Sequence, residues 1–229
     1  MYGIFRVRTR SVALWCGAIA TVSLLHACTP PSPSQTQASS PAATTAPPNS
    51  TMDHSSMDHG MSMNLGPADA EFDLRFIDAM IPHHEGAVQM AQEAQQKSQR
   101  PEIQKLAGDI ISAQNKEIAS LKQWRQAWYA NASHQPVAWS PQMGHAMPMS
   151  SEQRKSMAMD MNLGAADAEF DLRFINAMIP HHEGAVQMAK DALNKSKRPE
   201  IQKLAQAIIK SQEGEIQQMQ QWKQTWYQR

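Results

Sequence analysis

The chain has 229 residues, with 21 basic and 21 acidic side chains and two cysteines, Cys16 and Cys28. Loss of a leader carrying Arg6, Arg8 and Arg10 leaves 18 basic and 21 acidic residues, a net charge of −3 that offers no basic surface for nucleic acid. Beyond Cys28 there is no further cysteine, so residues 29–229 can build neither a disulfide framework nor a thiolate metal site.

Residues 1–27 read as a secretion signal of the lipoprotein type. The three arginines precede an apolar run from Val12 to Leu25 that is too short for a comfortable membrane span. Leu25-His26-Ala27-Cys28 resembles a bacterial lipobox, which makes Cys28 the expected lipidation site. The expected location is therefore the periplasm or cell surface of a bacterium, with a lipid holding the protein to a membrane. Residues 28–63 form a disordered tether. Its first part is rich in Pro, Ser, Thr and Ala and nearly uncharged. Its second part carries Met52, His54, Met57, His59, Met61 and Met63 in a polar, Gly-containing run with neither helical nor strand period.

Residues 64–129 form the first copy of a repeat and residues 162–229 the second. From Asn64 to Tyr129 and from Asn162 to Tyr227, about 47 of 66 positions are identical without a gap, so the protein is an internal duplication. Each copy holds two amphipathic helices. The first is expected from about Ala68 to Lys97, with Asp73, Phe76, Met80, His83, Ala87 and Met90 on one seam. Pro101 suits the first turn of the second helix, whose seam runs through Ile103, Ala107, Ile110, Gln114, Glu117, Leu121, Trp124 and Trp128.

A loop of about three residues makes the two helices antiparallel neighbours. Reflection across that loop puts Gln114 opposite His84, Glu117 near Met80 and His83, and Arg125 opposite Asp73. The second copy repeats this with Gln212, Glu215, Lys223 and Asp171. A lone hairpin leaves its apolar seam exposed, and two of them close into an all-α, pseudo-symmetric four-helix bundle. Pro82 either kinks the first helix beside the histidines or starts a new one, and Gly86 would let another helix approach closely. Residues 130–161, between the copies, form a second Met/His-rich linker with Met143, His145, Met147, Met149, Met157, Met159 and Met161.

Ten of the sixteen methionines fall in the two Met/His stretches. Copper(I) is a soft cation that takes thioether and imidazole ligands, whereas hard cations require clustered carboxylates. In an oxidising compartment methionine is the durable sulfur ligand. On the helix, Met80, His83 and His84 lie within about one turn and can serve one ion, while Met90 lies about 10 Å further along. Glu117, Gln114, Glu215 and Gln212 stand where a metal-bound imidazole needs a partner for its other nitrogen. The competing reading is a core whose buried histidines are satisfied by those same residues, with Met80 and Met90 as filler. Enzymatic motifs fail on spacing: Val88 stands where a zinc protease needs its second histidine, and the Glu-x-x-His pairs of di-iron bundles are missing.

The helix carrying Phe76, Met80, Pro82, His83, His84, Glu85, Ala87, Met90 and Ala91, followed by Gln114, Glu117, Ile118 and Trp124, resembles the domain of unknown function 305 family. The Met/His tracts are similar to those of its CopM-like periplasmic copper-binding branch. The resemblance implies a ferritin-like helical bundle that binds Cu(I), and Ag(I) with it, in copper sequestration, delivery or resistance. It implies Met80, His83, His84 and Met90 as ligands, with Met178, His181, His182 and Met188 in the second copy. The family often has methionine where the first copy has Leu121 and the second keeps Met219. The expected partners are copper ions, the membrane and copper efflux components. Two other functions remain open: a tethered helical adaptor that binds a partner protein, and a metal-dependent oxidase.

Overall fold

The computed structural model describes residues 63–228. The signal, Cys28, the tether and the tract residues Met52, His54, Met57, His59 and Met61 lie outside the described residues. Four long helices dominate: α1 (Phe72–Lys97), α2 (Pro101–Trp128), α4 (Phe170–Lys195) and α5 (Pro199–Tyr227). Pro101 and Pro199 open the second helix of each hairpin, where the missing N–H has no helical partner to lose. Helix α1 runs unbroken through Pro82, and α4 through Pro180. No new helix starts there, because the apolar seam continues on both sides and packing outweighs the one lost hydrogen bond.

The hairpins close on each other within one chain through α1 and α4. Phe72, Phe76, Ile77 and Met80 of α1 share one apolar cluster with Met188, Ala189 and Ala192 of α4 and Ile201 and Ile208 of α5. The second cluster repeats the plan with Phe170, Phe174, Ile175 and Met178 against Met90, Ala91, Ala94, Ile103 and Ile110. Each side chain of that size contributes about 2–3 kcal/mol by burial, so the two clusters hold the bundle at its two ends. Between them, half-way along α1 and α4, lie the histidines. Among the described residues no helix is long and apolar enough to cross a membrane.

Two cross-hairpin clamps tie the outer ends. Arg198 Nε lies 3.3 Å from Asp73 Oδ2, its guanidinium 4.2 Å over the Trp128 ring; Arg100 does the same to Asp171 at 3.3 Å and Trp226 at 4.3 Å. The expected Arg125–Asp73 and Lys223–Asp171 pairings therefore do not form. Reflection within one hairpin ignores the other hairpin, and Asp73 sits on the seam that faces it. Arg125 instead holds Asp78, which is 1% exposed and also accepts a hydrogen bond from Val137 N at 2.9 Å. Burial pushes the Asp78 carboxyl up, against the opposing pull of Arg125 and Val137. The pair thus serves more to fix the following segment than to add stability.

Residues 130–161, the Met/His-rich linker, carry secondary structure of their own. Strands β1 (Val137–Ser140) and β2 (His145–Pro148) form an antiparallel hairpin in the register Val137↔Pro148 to Ser140↔His145. Helix α3 (Ser151–Ala158) follows, started by a capping box between Ser150 and Gln153. Met149 and Met157 are buried in the first apolar cluster, whereas Met143, Met147 and Met161 are exposed. Half of this linker's six methionines are thus displayed to solvent; Met149 and Met157 are packing residues of the bundle.

Candidate metal centre

The seam that carries Met80 and His83 on α1 meets the matching seam of α4, and the crossing brings His83 against His181 with ring centroids 3.9 Å apart and the rings tilted by 51°. His84 and His182 flank them, 6.4 and 6.3 Å from their neighbours in sequence. All four imidazoles are buried. His182 Nε2 donates to Glu215 Oε2 at 2.6 Å. His84 Nε2 lies 2.8 Å from Glu117 Oε2 without meeting hydrogen-bond geometry. Glu117 thus lies against His84, not beside Met80 and His83, because the hairpin is offset by about a turn from simple reflection. Gln114 and Gln212 are buried near this level, each with an unpartnered Oε1.

Several ring nitrogens have no partner: both nitrogens of His83 and the Nδ1 atoms of His84, His181 and His182. A buried polar atom left unpaired costs about 1–3 kcal/mol, so these nitrogens favour a partner. Burial, reinforced by the neighbouring histidines, holds His83 well below the ordinary imidazole range. Burial also lowers His181 to about 3, with His182 adding to it and the Ala158 carbonyl opposing. Both rings are therefore neutral near pH 7 and keep lone pairs that a metal can use.

Met80 and Met188 are fully buried in the first apolar cluster, and Met90 and Met178 in the second. Met80 and Met178 stand one turn before the paired histidines, at the edge of the layer. Met90 and Met188 lie about two turns beyond it. His145 is exposed on β2, with Nδ1 3.0 Å from the Met143 carbonyl oxygen. Met63 and Met159 line a cavity of about 570 Å³ against Pro180, Glu183 and Gly184. Among the described residues no three His, Cys, Asp or Glu side chains gather as a metal cluster.

The family model described as Domain of unknown function (DUF305) matches residues 29–125 and 73–223. The chain belongs to this family. Among solved structures, CopM in the Cu(I)-bound form is 41% identical, with a TM-score of 0.52, over 68% of this chain and 97% of that one. CopM in the apo form matches with 41% identity and a TM-score of 0.54, over 68% and 98%. A DUF305 fragment from Deinococcus radiodurans is 28% identical, with a TM-score of 0.52, over 67% and 95%. Uncharacterized protein L153 of Acanthamoeba polyphaga mimivirus is 47% identical over 49 residues, 21% of this chain. That match spans about a third (32%) of the viral protein's length.

Within this DUF305 bundle, two contacts escape a reading of the sequence. One is Asp78–Arg125; the signal for it is that these positions differ together between the copies, as Asn176 and Lys223 in the second. The other is the Ala158 carbonyl, which accepts a hydrogen bond from His181 Nε2 at 3.1 Å. A backbone acceptor at a helix end leaves no mark in residue identity.

Proposed function

We propose that this protein binds copper(I), and silver(I) as its chemical analogue, outside the cytoplasm, and sequesters or delivers it in copper resistance. The ligands come from the candidate histidines of the central layer and from methionines, with the methionines of residues 52–63 and the exposed Met143, Met147 and Met161 as capture groups. Cys28 anchors the protein to a membrane as a lipoprotein, copper efflux components are the partners for transfer, and the role is binding, not turnover.

The observation that carries this reading is the layer of buried imidazoles with unpartnered ring nitrogens. Soft d¹⁰ cations fit such nitrogens together with thioether sulfur. Glu215 holds Nε2 of His182 and Glu117 lies 2.8 Å from Nε2 of His84, leaving both Nδ1 atoms free, the arrangement in which a carboxylate orients a metal-bound imidazole. Further support comes from CopM, solved in Cu(I)-bound, Cu(II)-bound and Ag-bound forms on the same fold.

The test is a Cu(I) titration of the full chain against a chromophoric chelator, compared with the His83→Ala, His84→Ala double variant. Loss of even a partner of a metal ligand costs about 10- to 100-fold in affinity. The double variant is therefore expected to weaken the tightest site by more than about tenfold, with helicity retained by circular dichroism. Unchanged stoichiometry and affinity would contradict a site in the bundle.

A further inference from the structure

The two halves of the bundle come from copies of one sequence, yet their central imidazoles have different surroundings. On the α4 side, Gly184 leaves room: a Cβ there would sit 3.0 Å from Met63 Cε, 3.1 Å from His83 Nε2 and 3.6 Å from Met63 Sδ. Two atoms lying 3.1 and 3.6 Å from one point are at most 6.7 Å apart. The Met63 sulfur is therefore within a side-chain rotation of the His83 nitrogen, and methionine is the residue most able to make that rotation. Met159, which ends α3 in a left-handed backbone conformation (φ 46°), lines the same cavity. His83 Nε2 has no hydrogen-bond partner.

On the α1 side the equivalent space is taken. A Cβ on Gly86 would fall 1.8 Å from the Ala158 carbonyl oxygen, the same oxygen that accepts from His181 Nε2. The nitrogen that is free on His83 is capped by backbone on His181. Met161, the counterpart of Met63 in the second copy, is 57% exposed and turned to solvent.

We propose that the duplicated bundle carries one central soft-metal site, not two, formed by Met63, His83 Nε2 and Met159 in the cavity over Gly184, and that the C-terminal end of α3 occupies the place of the second. The inference rests on the copper-binding reading and specifies its ligands. It also gives the methionine segments a destination. Met63 closes the run that begins at Met52, and Met159 lies within the run from Met157 to Met161, so an ion captured on either segment meets the same histidine. Glu183 and Asp191 at the cavity wall favour a cation there.

The full chain, with ¹³C-labelled methionine methyls and ¹⁵N-labelled imidazoles, is titrated with Ag(I). The first equivalent is expected to shift the Met63 and Met159 methyls and His83 Nε2 together, with His181 Nε2 still bonded to its carbonyl. Met63→Leu, a substitution of similar volume at a half-buried position, is expected to weaken the tightest site at least tenfold more than Met161→Leu does. Equal effects of the two substitutions, or matching shifts at His83 and His181, would overturn the single site. Ag(I) held only by exposed methionines such as Met143 and Met147 would overturn it while leaving soft-metal binding intact. Absence of any Ag(I) binding would remove the copper-binding reading along with it.

Discussion

Replacing Gly86 with alanine is expected to lift the C-terminal end of α3 off the bundle. The new methyl would lie 1.8 Å from the Ala158 carbonyl oxygen and 2.7 Å from its carbonyl carbon, far inside contact distance. Helix α1 is held in both apolar clusters, whereas α3 spans eight residues and has one buried side chain, Met157. The shorter helix therefore moves. Removing a glycine from a helix gains about 0.5–1 kcal/mol, but overpacking costs about 1–3 kcal/mol. Separating His181 Nε2 from its buried carbonyl adds about 1–3 kcal/mol more. The net is a destabilised protein with its α3 amides exposed. Hydrogen exchange is the measurement: protection at residues 151–158 should fall sharply, and unchanged protection would show that α3 does not rest on Gly86. Gly184→Ala meets the end of the Met63 side chain at 3.0 Å and the His83 ring nitrogen at 3.1 Å, with no backbone atom in the way, so its structural effect should be milder.

The second large effect is on acidification. His181 is held at about 3 in the folded protein, against about 6.5 in the unfolded chain. The folded value is the lower one, so between these limits the unfolded state binds more protons and stability falls as pH falls. The loss is about 1.4 kcal/mol per pH unit below about 6.5, or about 2 kcal/mol at pH 5 for this one ring. His83, lowered by burial and by His181, His84 and His182, acts in the same direction. The metal-free protein should therefore show a lower urea midpoint at pH 5 than at pH 7, and His181→Gln should flatten that dependence. Equal midpoints at the two pH values would mean that the rings are not buried and neutral. In the folded protein His181 stays neutral over this range, so protons compete with a metal for its lone pairs only as the pH nears about 3.

The helices were legible because the duplication repeats the apolar seam positions and the proline that opens the second helix of each hairpin. Pairing across each hairpin was legible only to within a turn. Reflection about the loop brought Glu117 to the level of the histidines but on the wrong one, and it gave Asp73 a partner from its own hairpin when Arg198 of the other hairpin holds it. The histidine layer follows from the seam, since a residue facing its own copy across a pseudo-two-fold meets it, as His83 meets His181. The inequality of the two halves was not legible. It arises from α3 and from one carbonyl oxygen, features that a methionine-rich composition conceals. Among the positions where the copies diverge, Asp78 with Asn176 and Arg125 with Lys223 mark the ion pair that the first copy has and the second lacks.

Whether the buried imidazole layer, joined by methionine sulfur, holds the ion is tested most directly by X-ray absorption at the copper edge, on the full chain loaded with one equivalent of Cu(I). A mixed first shell of nitrogen and sulfur, with the outer-shell scattering of a rigid imidazole, is the predicted result. A shell of sulfur alone, with no imidazole signature, would place the ion on the exposed methionines and leave His83, His84, His181 and His182 as residues of the core.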